Sequence, residues 1–234
     1  MATFVLIPGA CGGAWAWDRI VPALRAAGHS AVPVTLTGLG DRVHLARPNV
    51  DLETHITDVV NAIHYAGLTN VILVGHSYGG MLLPAVAERC ADVVRLISVD
   101  GLAPVHGESV MEIRPEFYGW MASAGGWLSV SVDEAGARLL DPDLNDADVT
   151  RIAAMATPQP MATLQQRMHL THAPRSIPMS YLLCQRGWLD EPYTVDVVRV
   201  IEEPGWEVIE LDAHHVVTIS QPGLVIEALL ACAA

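Results

Sequence analysis

One stretch decides the fold: Asn70-Val71-Ile72-Leu73-Val74-Gly75-His76-Ser77-Tyr78-Gly79-Gly80. It begins with an unbroken run of β-branched residues and leucine, as buried strands do, and the following residues 81–90 have a helical pattern. Gly-x-Ser-x-Gly stands between them, so the stretch predicts a strand, a sharp turn and a helix. The turn forces an unfavourable backbone on its serine, and the flanking glycines leave room for strand and helix to approach.

Ser77 is the candidate nucleophile at this turn. The predicted geometry holds its hydroxyl at the carboxyl end of a sheet, with the amide of Tyr78 pointing into the same space. The alternative is that a five-residue pattern arose by chance in a Gly-rich chain. The strand before the motif and the helix after it favour the turn over chance.

The composition indicates one substantial domain with a sizeable core, because 51% of the 234 residues are hydrophobic. No apolar run approaches the length of a membrane-spanning helix, and the amino terminus enters a strand with no basic region before it. We therefore expect a cytoplasmic protein without a secretory signal.

The charge balance argues against two kinds of partner. With 13 basic and 26 acidic residues, the chain has a formal charge of −13, which repels nucleic-acid phosphates and anionic lipid. We expect no nucleic acid and no membrane as partners. The four cysteines are far apart and form no Cys-x-x-Cys pair, so we expect buried free thiols, with neither a metal site nor a disulfide framework.

Strand and helix patterns alternate along most of the chain. Strands are predicted at 4–7, 31–34, 71–74, 93–99, 177–184 and 206–211. Helices are predicted at 20–27, 52–66, 81–90, within 190–201 and at 222–232, with Asp18 and Asp51 as caps. This alternation predicts α/β architecture, with a mostly parallel, twisted sheet and helices on both faces. Ligands bind such sheets beyond the carboxyl ends of the strands, where Ala10, Ser77 and Asp100 are expected.

The loop after the first strand is rich in glycine, from Pro8 to Trp15. Taken alone, it is ordinary turn chemistry. Beside a nucleophile it gains a second interpretation, because acyl transfer needs two backbone N–H donors for the developing oxyanion. Ala10 would supply one and Tyr78 the other.

Residues 102–174 interrupt the alternation with short helical patterns, Asp/Pro turns, aromatic residues and methionines. We interpret them as an inserted helical cap over the carboxyl face of a single domain, 1–234. Most of the apolar residues should form the cap's own core, and a minority should line a substrate pocket. Trp120 and Trp127 are the candidates for substrate contact.

A serine hydroxyl is a weak nucleophile near neutral pH, so it needs a histidine as general base. In a hydrolase with this order of elements the histidine follows the last strand, where His214 and His215 both lie. His55 and His64 fall on the predicted helix before the nucleophile strand. For them solvated or structural roles are expected.

Four segments, 4–15, 36–42, 75–80 and 99–104, resemble a group of α/β-hydrolases. This group includes plant methyl esterases, hydroxynitrile lyases and bacterial pyrethroid-type carboxylesterases. The likeness covers nearly the whole chain and is strongest in the first hundred residues. It implies the α/β-hydrolase fold, Ser77 as nucleophile, the oxyanion amides of Ala10 and Tyr78, and His215 in preference to His214.

Two departures from this family bear on activity. Many members begin the first loop with His-Gly, whereas this chain has Pro8-Gly9. The hydroxynitrile lyases carry a lysine after the catalytic histidine, and Val216 at that position argues against cyanohydrin cleavage.

The sequence leaves three alternatives for the acid that orients His215. Gly187 stands where many members carry the carboxylate. Asp100, at the exit of the strand beside the nucleophile strand, is the favoured substitute, and Asp190 is the competitor. A site without an acid is the third possibility.

These features predict a serine hydrolase that cleaves a carboxylic ester of a small hydrophobic substrate without cofactor or metal. A lactonase or thioesterase would use the same residues, and a lyase or a non-catalytic ligand-binding protein could share the scaffold. The sequence does not identify the physiological ester. Related proteins are often dimers, but no exposed stripe decides here between a monomer and a homodimer.

Overall fold

The structure is a computed structural model that describes residues 1–115, 123–124, 127–128, 133–171, 176–186, 195–202 and 205–233. At 123–124, 127–128 and 195–196 it describes the backbone alone. The strands are β1 (Thr3–Ile7), β2 (Ser30–Pro33), β3 (Val71–His76), β4 (Val93–Val99), β5 (Ser123–Ala124), β6 (Trp127–Leu128), β7 (Gln159–Pro160), β8 (Met179–Cys184) and β9 (Trp206–Leu211). Six of them form a parallel sheet in the order β2-β1-β3-β4-β8-β9, so the predicted parallel sheet is confirmed.

Helices connect these strands, as the alternation predicted. The α-helices are Val21–Ala26, Leu52–Tyr65, Leu83–Arg89, Val110–Ile113, Glu134–Leu140, Asp146–Met155, Ala162–Gln165, Val195–Glu202, Val217–Ser220 and Pro222–Cys232. The helix Leu52–Tyr65 begins at a capping box, in which the Asp51 carboxylate accepts from the Thr54 amide at 2.8 Å. No helix in the described part of the chain is both long and apolar enough to span a membrane.

The sheet is covered on both faces, which explains the unbroken apolar runs of its central strands. Alternate residues of β3 enter different cores: Val71 and Leu73 pack with the helices Leu52–Tyr65 and Leu83–Arg89. Ile72 and Val74 pack with the helices Val21–Ala26 and Pro222–Cys232. All four side chains are at most 4% exposed, as a strand buried on both sides requires.

The segment between β4 and β8 contains short helices and a second sheet, antiparallel, in the order β5-β6-β7. It is therefore less purely helical than the sequence suggested. Trp120 lies outside the described residues, and Trp127 is described only through its backbone in β6. The substrate contacts of both tryptophans, the cap role of 102–174 and the single-domain assignment stay predictions.

Three tight helical turns were not predicted. The 3-10 helices Ala14–Trp17 and Gly40–Leu45 lie in segments expected to be loops, and a third, Ser77–Leu82, precedes the helix expected to begin at Met81. The prediction that Asp18 caps a helix was wrong. The helix begins at Val21, and Asp18 pairs with Arg151 at 2.6 Å.

Strand register brings distant segments to one edge of the sheet. Ile7 at the end of β1 lies opposite Gly75 of β3, and His76 lies opposite Val99 at the end of β4. Cys184 at the end of β8 lies opposite Leu211 at the end of β9. The residues that follow these strands therefore emerge at the same edge.

Candidate active site

Ser77 occupies the sharp turn that the motif predicted, with a φ of +52° in the left-handed region. Two glycines make the turn sterically possible. A Cβ on Gly75 would collide with the carbonyl oxygen of Gly79, and a Cβ on Gly79 would lie 2.7 Å from the carbonyl oxygen of Ile7. The turn therefore needs glycine at both positions.

The side chains of Ser77, His215 and Asp100 form a continuous hydrogen-bonded chain. His215 Nε2 lies 2.9 Å from Ser77 Oγ, and His215 Nδ1 lies 2.6 Å from Asp100 Oδ2. The histidine and aspartate side chains are only 7% and 8% exposed. The three residues predicted as a nucleophile, a base and an acid are thus brought together from positions up to 138 residues apart.

The backbone fixes the Asp100 carboxylate in this position. Asp100 has a φ of +45° and donates its amide to the carbonyl of Leu182 at 2.8 Å. Its second carboxylate oxygen accepts from the Cys184 amide at 3.3 Å. Asp190 and Gly187, the positions that competed for the acid, lie outside the described residues. The geometry therefore supports Asp100, and the ring that reaches both partners belongs to His215 rather than His214.

His76 supports the loop that carries His215. Its Nε2 lies 2.8 Å from the backbone carbonyl oxygen of His215. A carbonyl only accepts, so His76 carries its proton on Nε2. Burial lowers the pKa of His76 to about 4, which keeps this ring neutral near pH 7.

His55 anchors the side chain of Tyr78. Its Nε2 lies 2.9 Å from the carbonyl oxygen of Thr37 and must donate to it, so its Nδ1 accepts from the Tyr78 hydroxyl at 2.9 Å. Burial lowers the pKa of His55 to about 4. Thr37 is itself fixed, because its amide donates to the Asp58 carboxylate at 2.6 Å. The side chain of Tyr78, whose amide is predicted to bind the oxyanion, is therefore held through His55 by the loop that contains Thr37.

The first loop lies directly against Ser77, the candidate nucleophile. A Cβ on Gly9 would be 3.1 Å from Ser77 Cβ, so only a residue without a side chain permits this approach. Ala10 follows it, half-buried, and its N–H has no hydrogen-bond acceptor within the described ranges. These features suit the oxyanion role predicted for Ala10.

The described residues were also searched for a metal site and for a reactive cysteine. No group of three or more His, Cys, Asp or Glu side chains there could hold a metal ion. The thiols of Cys11, Cys90 and Cys184 are free and buried, as predicted, whereas Cys232 is only partly buried. Burial raises the pKa of the Cys11 thiol to about 12 and also raises that of Cys184, so neither is an activated nucleophile.

Sequence reasoning missed His76, and for His55 it left a solvated and a structural role open, of which the structure shows the structural one. His76 stands inside the Gly-x-Ser-x-Gly motif at the end of a strand, which was a sufficient signal that it faces the site edge. His55 continues the buried helical periodicity of Leu52, Ile56 and Val59, which could have identified it as buried.

Comparison with known proteins extends these observations. The sequence matches the model of the alpha/beta hydrolase family over residues 4–228. It is 35% identical over 243 aligned residues to a carbendazim hydrolyzing esterase of Nocardioides sp., covering 99% of each chain. It is 27% identical to a probable esterase of rice, PIR7A, covering 85% of this chain and 72% of the rice protein.

The fold is also shared with solved structures. An extracellular alpha/beta-hydrolase from Paenibacillus superposes with a TM-score of 0.85 at 24% identity, covering 99% of this chain and 98% of the other. The family match covers nearly the whole sequence, and the nucleophile turn, the parallel sheet and the carboxyl-edge site all fit it. The chain belongs to the alpha/beta hydrolase family.

Proposed function

We propose that this protein hydrolyses carboxylic esters through an acyl-enzyme formed on Ser77. One observation carries the proposal: His215, itself almost fully buried, bridges the half-buried Ser77 hydroxyl and the buried Asp100 carboxylate. This arrangement supplies a nucleophile, a base and an orienting acid.

In the first step, His215 Nε2 takes the hydroxyl proton as Ser77 Oγ bonds to the ester carbonyl carbon. The carbonyl π electrons move onto its oxygen, and the amides of Ala10 and Tyr78 stabilise the resulting oxyanion. When the carbonyl re-forms, the carbon–alkoxy bond breaks. The leaving alkoxide receives the proton from His215 and departs as the alcohol.

In the second step, water attacks the acyl carbon while His215 Nε2 takes one of its protons. A second oxyanion forms at the same two amides and collapses with cleavage of the bond to Ser77 Oγ. The proton on His215 returns to this oxygen, and the carboxylic acid leaves. Serine and histidine are thereby restored, and no cofactor is consumed.

Asp100 has two roles in this scheme. Its hydrogen bond holds the proton of neutral His215 on Nδ1, which leaves the Nε2 lone pair facing Ser77. Its negative charge also stabilises the imidazolium that forms when the serine proton is taken. Both roles require the 2.6 Å contact between Nδ1 and the carboxylate.

The relatives support the reaction class. The carbendazim hydrolyzing esterase and the probable rice esterase are both named for hydrolysis, and the first aligns over the full chain. A small hydrophobic ester in the cytoplasm fits the composition, with no nucleic acid, membrane or cofactor as partner. A lactonase or thioesterase would use the same groups, so carbendazim, lactones, thioesters and simple esters form the substrate panel.

The test is covalent labelling of the nucleophile. A fluorophosphonate should add one adduct, mapped to Ser77, and Ser77→Ala should abolish both the adduct and turnover of p-nitrophenyl butyrate, a loss of at least about 10³-fold. An acyl adduct seen by intact mass would argue against a lyase. Full activity in Ser77→Ala, or no labelling of the wild type, would overturn the proposal.

A further inference from the structure

The inserted segment holds the loop that carries Ala10. The amide of Cys11 donates to the side-chain oxygen of Gln159 at 2.9 Å, and the amide of Thr157 donates to the carbonyl oxygen of Cys11 at 2.9 Å. Both backbone polar groups of Cys11 are therefore bound by residues almost 150 positions later in the chain. The anchor acts one residue beyond the predicted oxyanion donor.

The amide of Gln159 can face Cys11 in one orientation only, because Cys11 offers it an N–H. Gln159 is fully buried, and its Nε2 donates to Thr163 Oγ1 at 2.9 Å. The Thr163 hydroxyl in turn donates to the carbonyl oxygen of Pro160 at 2.7 Å. A flipped amide would place its NH₂ group against the Cys11 N–H, donor against donor. The side-chain oxygen therefore faces Cys11.

This anchor holds a strained backbone. Cys11 has a φ of +60°, a conformation that costs a residue with a side chain about 1–2 kcal/mol. Without the two bonds from Gln159 and Thr157, Cys11 would relax toward negative φ and shift the peptide group before it. That shift would move the Cα atom of Ala10 and with it the adjoining Gly9–Ala10 peptide group, which carries the N–H that the proposed mechanism needs at the oxyanion.

We propose that Gln159 is a positioning residue for the oxyanion site: it sets the place of the Ala10 N–H by binding the amide of Cys11. This inference rests on the proposed function. Gln159 begins β7, where it pairs with Leu128 of β6, so the small antiparallel sheet and the oxyanion loop form one connected structure. The inserted segment then supports transition-state stabilisation, a task separate from covering the substrate.

Two variants are compared first, and a third, Gln159→Glu, is described below. Gln159→Met keeps the length of the side chain and removes both hydrogen bonds. Thr163→Val is the matched control, because it disturbs the same buried network but leaves the bond between Gln159 and Cys11. Each is assayed for kcat and KM on p-nitrophenyl butyrate, for thermal unfolding, and for affinity toward a phenylboronic acid, which forms a tetrahedral adduct with the serine oxygen.

For Gln159→Met we expect kcat to fall about 10- to 100-fold with KM almost unchanged, because a displaced donor acts on the transition state. Affinity for the boronic acid should fall by a similar factor. Thr163→Val should unfold at a lower temperature yet keep kcat within about 3-fold. Equal losses of kcat in the two variants, or an unchanged kcat in Gln159→Met, would overturn the inference.

Gln159→Glu gives an independent readout that stands even where Gln159→Met does not fold. A protonated carboxyl group can accept from Cys11 and donate to Thr163, as the amide does. The ionised form cannot donate, and it places negative charge beside the oxyanion loop. Both forms keep an oxygen acceptor for the Cys11 amide, so at a pH where the introduced carboxyl group is protonated kcat of Gln159→Glu should stay within about 3-fold of the wild type. A loss there as large as the one expected for Gln159→Met would refute the role.

The two proposals fail in different ways. If the wild type is neither labelled by fluorophosphonate nor inhibited by the boronic acid, the proposed function fails. If the wild type is labelled, inhibited and active while Gln159→Met behaves as the wild type does, only the positioning role fails.

Discussion

At the scale of single residues, backbone strain is concentrated at the residues of the candidate site. Within the described ranges, positive φ angles at residues other than glycine occur at Cys11, Asn70, Ser77 and Asp100. Three of these four belong to the candidate site or its oxyanion loop. Such conformations cost about 1–2 kcal/mol each, so the surrounding contacts must hold them in place.

This strain predicts that the nucleophile reduces stability. Ser77→Gly and Ser77→Ala both remove the hydroxyl, but only glycine relieves the positive φ. We expect both variants to be inactive and the glycine variant to be more stable than the alanine variant by about 0.5–1 kcal/mol, after its larger unfolded-state entropy is counted. Urea unfolding measures the difference, and an alanine variant as stable as the glycine variant would contradict it.

The assignment of the acid is also decided at this scale. Asp100→Asn retains the size of the side chain but cannot stabilise an imidazolium, so kcat should fall by about 10³-fold or more with a small change in KM. Asp190→Asn is the comparison and should stay within about 3-fold of the wild type. A large loss in Asp190→Asn alone would transfer the role to that residue.

At the scale of elements, the inserted segment is attached to the last loop as well as the first. The hydroxyl of Ser220 donates to the buried Asp141 carboxylate at 2.6 Å. Arg19 pairs with Asp148 and donates to the carbonyl oxygen of Ile219 at 2.6 Å. The helix Val217–Ser220, which begins two residues after His215, is therefore tied to the insertion.

Removing Arg19 should test this attachment. Arg19→Met would leave the carboxylate of Asp148, which is 2% exposed, without its cation. We expect a loss of about 2 kcal/mol in stability, below the usual cost for buried pairs because the arginine side chain is 40% exposed. Urea unfolding measures it, and Asp18→Asn, which weakens an exposed ion pair with Arg151, is the control with an expected loss under about 0.5 kcal/mol.

The elements differ in how well the sequence predicted them. For the six strands of the main sheet, no predicted end differs from the observed one by more than two residues. Apolar runs between turns are a local signal, so the sequence alone locates them. The 3-10 helices were missed because runs such as Gly40–Leu45 have no apolar periodicity. The small sheet β5-β6-β7 was missed because its two-residue strands are too short to show alternation.

At the scale of the whole molecule, the site residues were predictable where a motif or strand exit marks them. Ser77 and Asp100 follow strands directly, and His215 follows the last one. Gln159 had no such signal, since its partner is 148 residues away and only the folded chain brings them together. The resemblance predicted the fold and the esterase class, which the comparisons confirm, whereas the long-range support of the loops required coordinates.

The buried histidines predict how stability responds to acid. Burial lowers the pKa values of His55 and His76 to about 4, below the ordinary value of 6.5. The unfolded chain therefore binds protons first as pH falls, so the stability present above pH 6.5 is lost progressively down to pH 4. Each histidine should account for a loss of about 2–3 kcal/mol between pH 7 and pH 4.5.

The variant His55→Gln isolates the contribution of His55 to the loss of stability in acid. Glutamine can replace both hydrogen bonds of His55 but does not titrate. Urea unfolding at pH 7 and pH 4.5 should show a smaller loss in this variant than in the wild type, by about 2–3 kcal/mol. His64→Gln, on the exposed side of the same helix, should leave the loss unchanged. An identical loss in all three proteins would contradict the prediction.

The order of the reacting groups along the chain has a consequence for biosynthesis. The serine follows β3 and is translated before three of the six main strands, whereas the histidine follows the edge strand β9 and is translated after all six. A nascent polypeptide that has not yet reached residue 215 holds a hydroxyl with no base to activate it. Hydrolysis therefore begins only after residue 215 has been synthesised, and the appearance of turnover during translation reports the docking of β9.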